Sequence, residues 1–360
     1  METAEKVLRS GSIGVPRSLP VVKAQGIIGT GSALPERILS NIELASFLQT
    51  SDEWIQQRVG IRTRHIAAPS ETTVSLAVQA AERAMENAGI TPAEIDLLIL
   101  ATVTPDTTLP SGAALVQSRL GISSAMAFDV QAACTGFLFG LGIAHGLQHT
   151  IEYRNALVIG AETLSRIVNW KDRDTCVLFG DGAGAVVYRG TNALDRSRRS
   201  DPIKGIQLQT CGELNDLICR PAAPYPPATF PEVLALSENA SASPYVQMKG
   251  SEVFRVAVNA MCESITSVLE QAGCTIDDVA LFVPHQSNRR MVDAVCERLK
   301  FSDPSRIFLN IDRVGNTSAA SIPIALDEAV QAGMVDRGDL VLMTAVGAGI
   351  TYGSVLLEWQ

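Results

Sequence analysis

Short apolar runs flanked by turn residues recur along this chain. Leu97-Leu98-Ile99, Ala156-Leu157-Val158-Ile159, Leu281-Phe282-Val283 and Leu340-Val341-Leu342-Met343 are continuous rather than alternating. Such runs predict strands buried on both faces, as in parallel sheets covered by helices. Between them, Val74 to Asn87 and Val258 to Gln271 carry apolar or small residues three and four positions apart, which predicts helices. Each stops at a glycine, Gly89 or Gly273, suited to the left-handed turn that closes a helix. Two more strands are predicted at Met126–Val130 and Ile307–Ile311, the first leading into a long apolar segment, Phe137 to Leu147.

These elements repeat. Ala88-Gly89-Ile90-Thr91-Pro92 through Ile99 is echoed 184 positions later by Ala272-Gly273-Cys274-Thr275-Ile276 through Val283, and Ala156–Ala161 is echoed at the same offset by Leu340–Ala345. A constant offset over helix, turn and strand indicates a duplication, and alternating helix with buried strand implies βαβ units. The expected fold is α/β, with two duplicated halves, each a mostly parallel sheet covered by helices. Residues 25–195 form the N-terminal half and 196–360 the C-terminal half. Residues 1–24 read as a disordered tail, and 222–244, rich in Pro, Ala and Ser, as a loop without its own fold.

Composition narrows the function. At 360 residues and 46% hydrophobic, the chain can bury a sizeable core, and its net charge of −9 argues against a nucleic-acid partner. No apolar stretch reaches the ~18 residues of a membrane span. The seven cysteines are scattered without a C-x-x-C pair, which fits reduced thiols in a cytoplasmic protein rather than a disulfide framework.

In open α/β sheets ligands bind beyond the carboxyl ends of strands, and three turns there carry reactive residues. Cys134, in Gln131-Ala132-Ala133-Cys134-Thr135-Gly136, sits where strand gives way to helix. Unpaired N–H groups at a helix start favour a thiolate, so the cysteine reads either as a nucleophile or as a buried filler. His285, in Pro284-His285-Gln286, follows a buried strand and suits an imidazole held beside a pocket. Asn316, in Gly315-Asn316-Thr317-Ser318, reads as a turn residue or as an amide donor to an oxyanion, and lies at nearly the place in the second half that Cys134 holds in the first. His145 and His149 are four apart on a helix but lack an acidic third ligand in the same pattern, so a surface helix explains them; His65 reads as structural or as part of a basic rim. Phe179-Gly180-Asp181-Gly182-Ala183-Gly184 has neither a P-loop nor a dinucleotide spacing and predicts tight turns in the core. Gly347-Ala348-Gly349 follows a strand end, where a backbone N–H can complete an oxyanion hole with that of Cys134.

With these motifs, and with Thr50-Ser51-Asp52-Glu53-Trp54-Ile55 and Gly60-Ile61-Arg62 upstream, the chain resembles the β-ketoacyl-acyl carrier protein synthase III family of thiolase-fold condensing enzymes from about Gly26 to Trp359. The resemblance implies a five-layered α-β-α-β-α fold, a homodimer, and no metal or other cofactor. It implies a decarboxylative Claisen condensation of an acyl-CoA primer with malonyl-acyl carrier protein, giving 3-oxoacyl-acyl carrier protein, CoA and CO2 and initiating fatty acid synthesis. Cys134, His285 and Asn316 take the catalytic positions, and the N–H groups of Cys134 and Ala348 the oxyanion hole. Trp54, Arg58, Arg173, Phe254 and Arg290 match coenzyme A and pantetheine contacts, although Val59 and Asp174 replace a common threonine and glycine. Leu109 matches the residue with which the dimer partner closes the acyl pocket. Lys249, Arg255, Arg289 and Arg290 form a basic cluster suited to an acidic carrier protein. Two other readings share the acyl-enzyme step: a secondary-metabolite condensing enzyme of the same fold, and a cysteine-dependent thioester hydrolase.

Overall fold

The computed structural model describes residues 25–190, 201–221, 243–301 and 303–360. The expected tail at 1–24 and nearly all of the loop at 222–244 lie outside these residues. The first half runs β1 Gly26–Ala33, β2 Ile38–Ser40, α1 Asn41–Ala45, α2 Asp52–Val59, β3 Thr63–His65, α3 Thr73–Ala88, β4 Ile95–Ala101, α4 Gly112–Arg119, β5 Met126–Val130, α5 Gly136–Leu147, β6 Asn155–Thr163 and β7 Asp181–Arg189. The second runs β8 Ile203–Thr210, β9 Ile218–Cys219, β10 Gln247–Met248, α6 Gly250–Ala272, β11 Val279–Pro284, α7 Arg289–Leu299, α8 Ile311–Val314, α9 Ser321–Gln331, β12 Leu340–Gly347 and β13 Thr351–Glu358. No helix among the described residues is long and apolar enough to cross a membrane.

Two main sheets result, ordered β1-β7-β6-β4-β5 and β11-β12-β13-β8. Side chains alternate across each strand, so the central strands of each main sheet feed two cores. Ala156 and Val158 of β6 and Val341 and Met343 of β12 pack on one central cluster with Phe137, Leu141, Ile322 and Leu326, from α5 and α9. The opposite faces turn outward: Leu157 and Ile159 meet α3 and α4, while Phe282 and Leu342 meet α6 and α7. The stack is therefore α-β-α-β-α, with α5 and α9 in the middle layer.

The duplication is visible in the elements. The strands β4 and β11 start at Ile95 and Val279, and α3 and α6 end at Ala88 and Ala272, each closed by a glycine at φ 63 or 67. Three expectations differ from the result. The sheets are mixed rather than mostly parallel: β4 pairs in parallel with β5 and β6, and β11 with β12, but β6–β7, β1–β7, β12–β13 and β13–β8 are antiparallel. Only Ala348, Gly349 and Ile350 separate β12 from β13, too few residues for a parallel crossover. Residues Asp181–Gly184 open strand β7 instead of forming core turns; a Cβ at Gly184 would lie 2.5 Å from the Ile324 nitrogen, so the glycines let α9 settle on the strand. Ile307–Ile311 makes one parallel bridge, from Ile307 to Phe282, and no longer strand, because the Gln286 side-chain oxygen captures the Asn310 and Ile311 amides at 3.1 Å each.

Candidate active site

A cavity of about 980 Å³ opens between the halves and is lined by Cys134, His285, Asn316 and Ala348 together with Trp54 and Phe254. Each polar residue arrives on a different support. Beyond β5 the chain turns sharply at Ala133, whose φ of 47 is uncommon for a residue with a side chain, and a 3₁₀ turn over Ala133–Thr135 feeds α5. The Thr135 hydroxyl bonds the Ala132 carbonyl (2.6 Å) and the Thr351 hydroxyl (2.8 Å), tying this turn to the start of β13. Gly347 seats against it so closely that a Cβ there would lie 2.7 Å from the Cys134 nitrogen.

His285 follows β11, and its N–H donates to the Thr344 carbonyl of β12 (2.8 Å). The ring is 1% exposed and its Nδ1 has no hydrogen-bond partner. Burial pushes its pKa down to about 3, so the imidazole is neutral at physiological pH and presents a ring N–H as a donor. Asn316 is clamped by its backbone: its N–H donates to the Leu178 carbonyl (2.9 Å), and its carbonyl accepts from the Gly180 N–H (3.0 Å). Its side-chain oxygen accepts from the Ser318 N–H (2.8 Å), leaving the amide's donor end for the cavity.

The sulfur behaves otherwise than its position at a helix start suggests. Desolvation at the closed end of the cavity pushes the Cys134 thiol up to about 11, against the opposing help of the Ser318 hydroxyl and the backbone. Cys134 rests as a thiol.

At the cavity mouth the Arg58 and Arg173 guanidinium carbons lie 5.5 and 5.1 Å from the Trp54 ring centroid, within cation–π range. Arg173 reaches the mouth through Trp54 rather than the cavity wall, while Phe254, Arg290, Val59 and Asp174 are on the wall. Leu109 is 87% exposed and away from the cavity of its own chain. Of the basic cluster, Lys249 pairs with Asp216 and Arg289 with Asp293. His145 and His149 do have a carboxylate beside them, Asp201 from the second half. His145 Nδ1 is nonetheless engaged by Tyr188 and Gln148, Asp201 accepts from the Ile203 N–H, and His149 meets the His145 ring edge-on at 5.6 Å. His65 is structural, its Nδ1 2.6 Å from the Pro35 carbonyl oxygen.

Several supporting residues escape the sequence reading. Gln286 is fully buried and knits the Phe308–Ile311 segment to the His285 turn. Arg64 is buried and donates to the Val177 carbonyl (2.7 Å) and the Asn41 side chain (2.8 Å), beneath the loop that clamps Asn316. Glu162 is a carboxyl with 0% exposure inside β6. Its only sequence signal is a single acid within an apolar run.

A five-layered stack with a cysteine elbow between duplicated halves is the architecture of thiolase-fold condensing acyltransferases. Family profiles described as 3-oxoacyl-[acyl-carrier-protein] synthase III and its C-terminal part match residues 128–202 and 269–359. The chain is 45% identical over 338 residues to a β-ketoacyl-[acyl-carrier-protein] synthase III of Caldanaerobacter subterraneus subsp. tengcongensis, covering 94% of this chain and 98% of that one. The crystal structure of 3-oxoacyl-[acyl-carrier-protein] synthase III from Aquifex aeolicus VF5 superposes with a TM-score of 0.82 at 45% identity, covering 93% of this chain and 100% of its own. The priming β-ketosynthase of the R1128 polyketide biosynthetic pathway is similar at 33% identity, with a TM-score of 0.81 over 95% of this chain and 99% of its own. The chain belongs to the β-ketoacyl-acyl carrier protein synthase III family.

Proposed function

We propose that this enzyme condenses an acyl-CoA primer with malonyl-acyl carrier protein to start fatty acid synthesis, with Cys134 carrying the acyl group. The Cys134 sulfur attacks the thioester carbonyl, and the bond to the coenzyme A sulfur breaks. The backbone N–H groups of Cys134 and Ala348 hold the tetrahedral oxyanion. Malonyl-acyl carrier protein then loses CO2. His285 and Asn316 donate to its thioester oxygen as enolate charge builds, and the new carbanion attacks the acyl-Cys134 carbon, releasing the Cys134 sulfur. The scheme needs no metal or redox cofactor.

The observation that carries this reading is the pairing of a neutral His285 with the donor end of Asn316 on the cavity wall beside Cys134. Trp54 and Arg58 suit an adenine, with Arg173 beside them, and Phe254 and Arg290 suit the pantetheine arm. The exposed Leu109 suits a homodimer in which it closes the partner's acyl pocket, a leucine leaving room for primers longer or more branched than acetyl. The seven free cysteines fit the cytoplasm. The test is to incubate the protein with acyl-CoA and labelled malonyl-acyl carrier protein and to follow CO2 and the chain-extended product. Cys134→Ala should take up no acyl group; condensation of acyl-CoA at the wild-type rate by that variant sinks the mechanism. A thioester hydrolase would release free acid without CO2. A secondary-metabolite enzyme would use primers other than those of fatty acid synthesis.

A further inference from the structure

The resting thiol of Cys134 has to lose its proton, and the imidazole on the same cavity wall is a weak acceptor for it. His285, held neutral with a pKa near 3, cannot keep a proton at physiological pH. Close to the sulfur, beyond the Ser318 hydroxyl, lies Glu162. Its carboxylate accepts from the hydroxyls of Thr104 (2.6 Å), Thr102 (3.2 Å) and Ser318 (3.2 Å) and from the Val103 N–H (3.1 Å). None of these partners is a cation. A buried carboxyl without a cation is an unfavourable way to satisfy four neutral donors, since an uncharged amide would meet most of them without burying a charge. Ser318, bonded to Glu162, also lies against the Cys134 sulfur and donates its N–H to Asn316. Its backbone φ of 51 is one that residues with side chains rarely adopt, and the fold maintains it at the cavity wall.

We infer that Glu162, acting through the Ser318 hydroxyl, receives the Cys134 proton as the sulfur attacks its thioester. The inference rests on the acyl-carrying role of Cys134 proposed above. The S–H bond breaks, its electron pair forms the new carbon–sulfur bond, and its proton passes to the Ser318 oxygen. The original Ser318 hydroxyl proton moves to the Glu162 carboxylate. The departing coenzyme A sulfur takes a proton from solvent at the cavity mouth. At the end of condensation the Cys134 sulfur leaves as a thiolate and recovers the proton from Glu162 by the reverse path. Glu162 touches neither sulfur nor substrate and is a positioning residue in that sense.

Burial raises the Glu162 carboxyl to about 7, where a group exchanging protons near neutrality is most effective. The titratable group facing it is Cys134 from the elbow; Asp181 of β7 pairs with Thr163 of β6 and so lies on the opposite face of the sheet. The Asp181 carboxylate is occupied by the Ala67 and Ser165 N–H groups and the Ser165 hydroxyl. The other neighbours, Thr102, Val103 and Thr104, do not titrate in this range.

The direct test is the rate at which iodoacetamide alkylates Cys134, read by peptide mass spectrometry across pH, alongside the acylation rate with acyl-CoA. In the wild type both rates should rise with pH through about 7 as Glu162 ionises. Glu162→Gln and Ser318→Ala should each lose that limb and slow acylation by roughly a hundredfold, and the double variant should be no slower than either single one. Alanine is compatible with the Ser318 backbone, since Ala133 holds a φ of 47 in the matching turn. If Glu162 were only a negative charge beside the sulfur, its removal would ease thiolate formation. Alkylation of Glu162→Gln at or above the wild-type rate therefore overturns the relay. A wild-type enzyme with the alkylation limb but no acylation by acyl-CoA supports the relay and refutes the proposed substrate, so the two ideas fail separately.

Discussion

Gly347 offers the sharpest test of how tightly the elbow is held. A Cβ at this position would meet the Cys134 nitrogen at 2.7 Å, Thr351 Oγ1 at 3.1 Å and the Thr135 nitrogen at 3.2 Å. Two of these atoms are backbone, and the third is hydrogen-bonded to Thr135 and Ala132, so none can swing aside cheaply. To restore an ordinary contact near 3.4 Å, the Cys134 amide must retreat by about 0.7 Å. That amide is the proposed oxyanion donor, and misplacing a donor or nucleophile by this much lowers kcat by about 10²-fold. Overpacking at the same place should lower stability by about 1–3 kcal/mol. The assay is the steady-state condensation rate of Gly347→Ala with its urea midpoint measured in parallel. Gly146→Ala is the control: nothing lies within 4 Å of its added Cβ, and it should be slightly stabilising by about 0.5–1 kcal/mol with unchanged kcat. A folded Gly347→Ala enzyme with wild-type kcat would refute the geometry of the hole.

Two further predictions concern stability. The depressed pKa of His285 favours the uncharged ring in the fold, so its contribution is complete above the unfolded value of 6.5 and is lost as pH falls toward about 3. The wild type should lose as much as about 4–5 kcal/mol relative to His285→Gln over that window, and denaturation curves that keep a constant separation would refute it. Asp327 in α9 is 0% exposed and accepts from Thr30 (2.7 Å), Ser32 (2.6 Å) and Gln331 (2.9 Å), fastening the middle layer to β1. Asp327→Ala should destabilise by about 3–5 kcal/mol, and a urea midpoint within error of the wild type would rule the fastening out.

Local sequence carries much of this architecture. Continuous apolar runs marked β4, β6, β11 and β12 because strands buried on both faces need no polar positions, and Gly89 and Gly273 marked two helix ends because left-handed closure favours glycine. Cys134, His285 and Asn316 stand out because each polar side chain follows an apolar element, and the structure brings all three to one cavity. What stayed hidden depends on partners far apart in the chain. Glu162 meets Ser318 from 156 positions away, and Ser318 looks like one more small residue in a run of them. The failed strand at Ile307–Ile311 was lost to Gln286, whose side chain takes amides that a ladder would otherwise use. The thiol of Cys134 misleads for the same reason: the helix start is local, whereas the desolvation that outweighs it comes from the folded walls.

The duplication explains why the site is asymmetric. The true counterpart of the Ala133 turn is Ser318, since both take left-handed φ values (47 and 51), both open a 3₁₀ turn, and both feed a middle-layer helix, α5 or α9. By that correspondence Cys134 matches Ala319, and Asn316 stands three residues earlier, on the strand-like clamp with Phe179. The glycines facing this turn are what let it approach: a Cβ at Gly160 would collide with the Ala319 carbonyl at 2.1 Å, and one at Gly136 would touch the Ala319 Cβ at 3.4 Å. A second cysteine in the second turn would have to fit where β6 and α5 already press against the backbone. One elbow carries the sulfur, and its twin, packed against β6 and α5, carries the hydroxyl bonded to Glu162. Neither half contains the whole arrangement, because Cys134 and Glu162 come from the first and Ser318, His285 and Asn316 from the second.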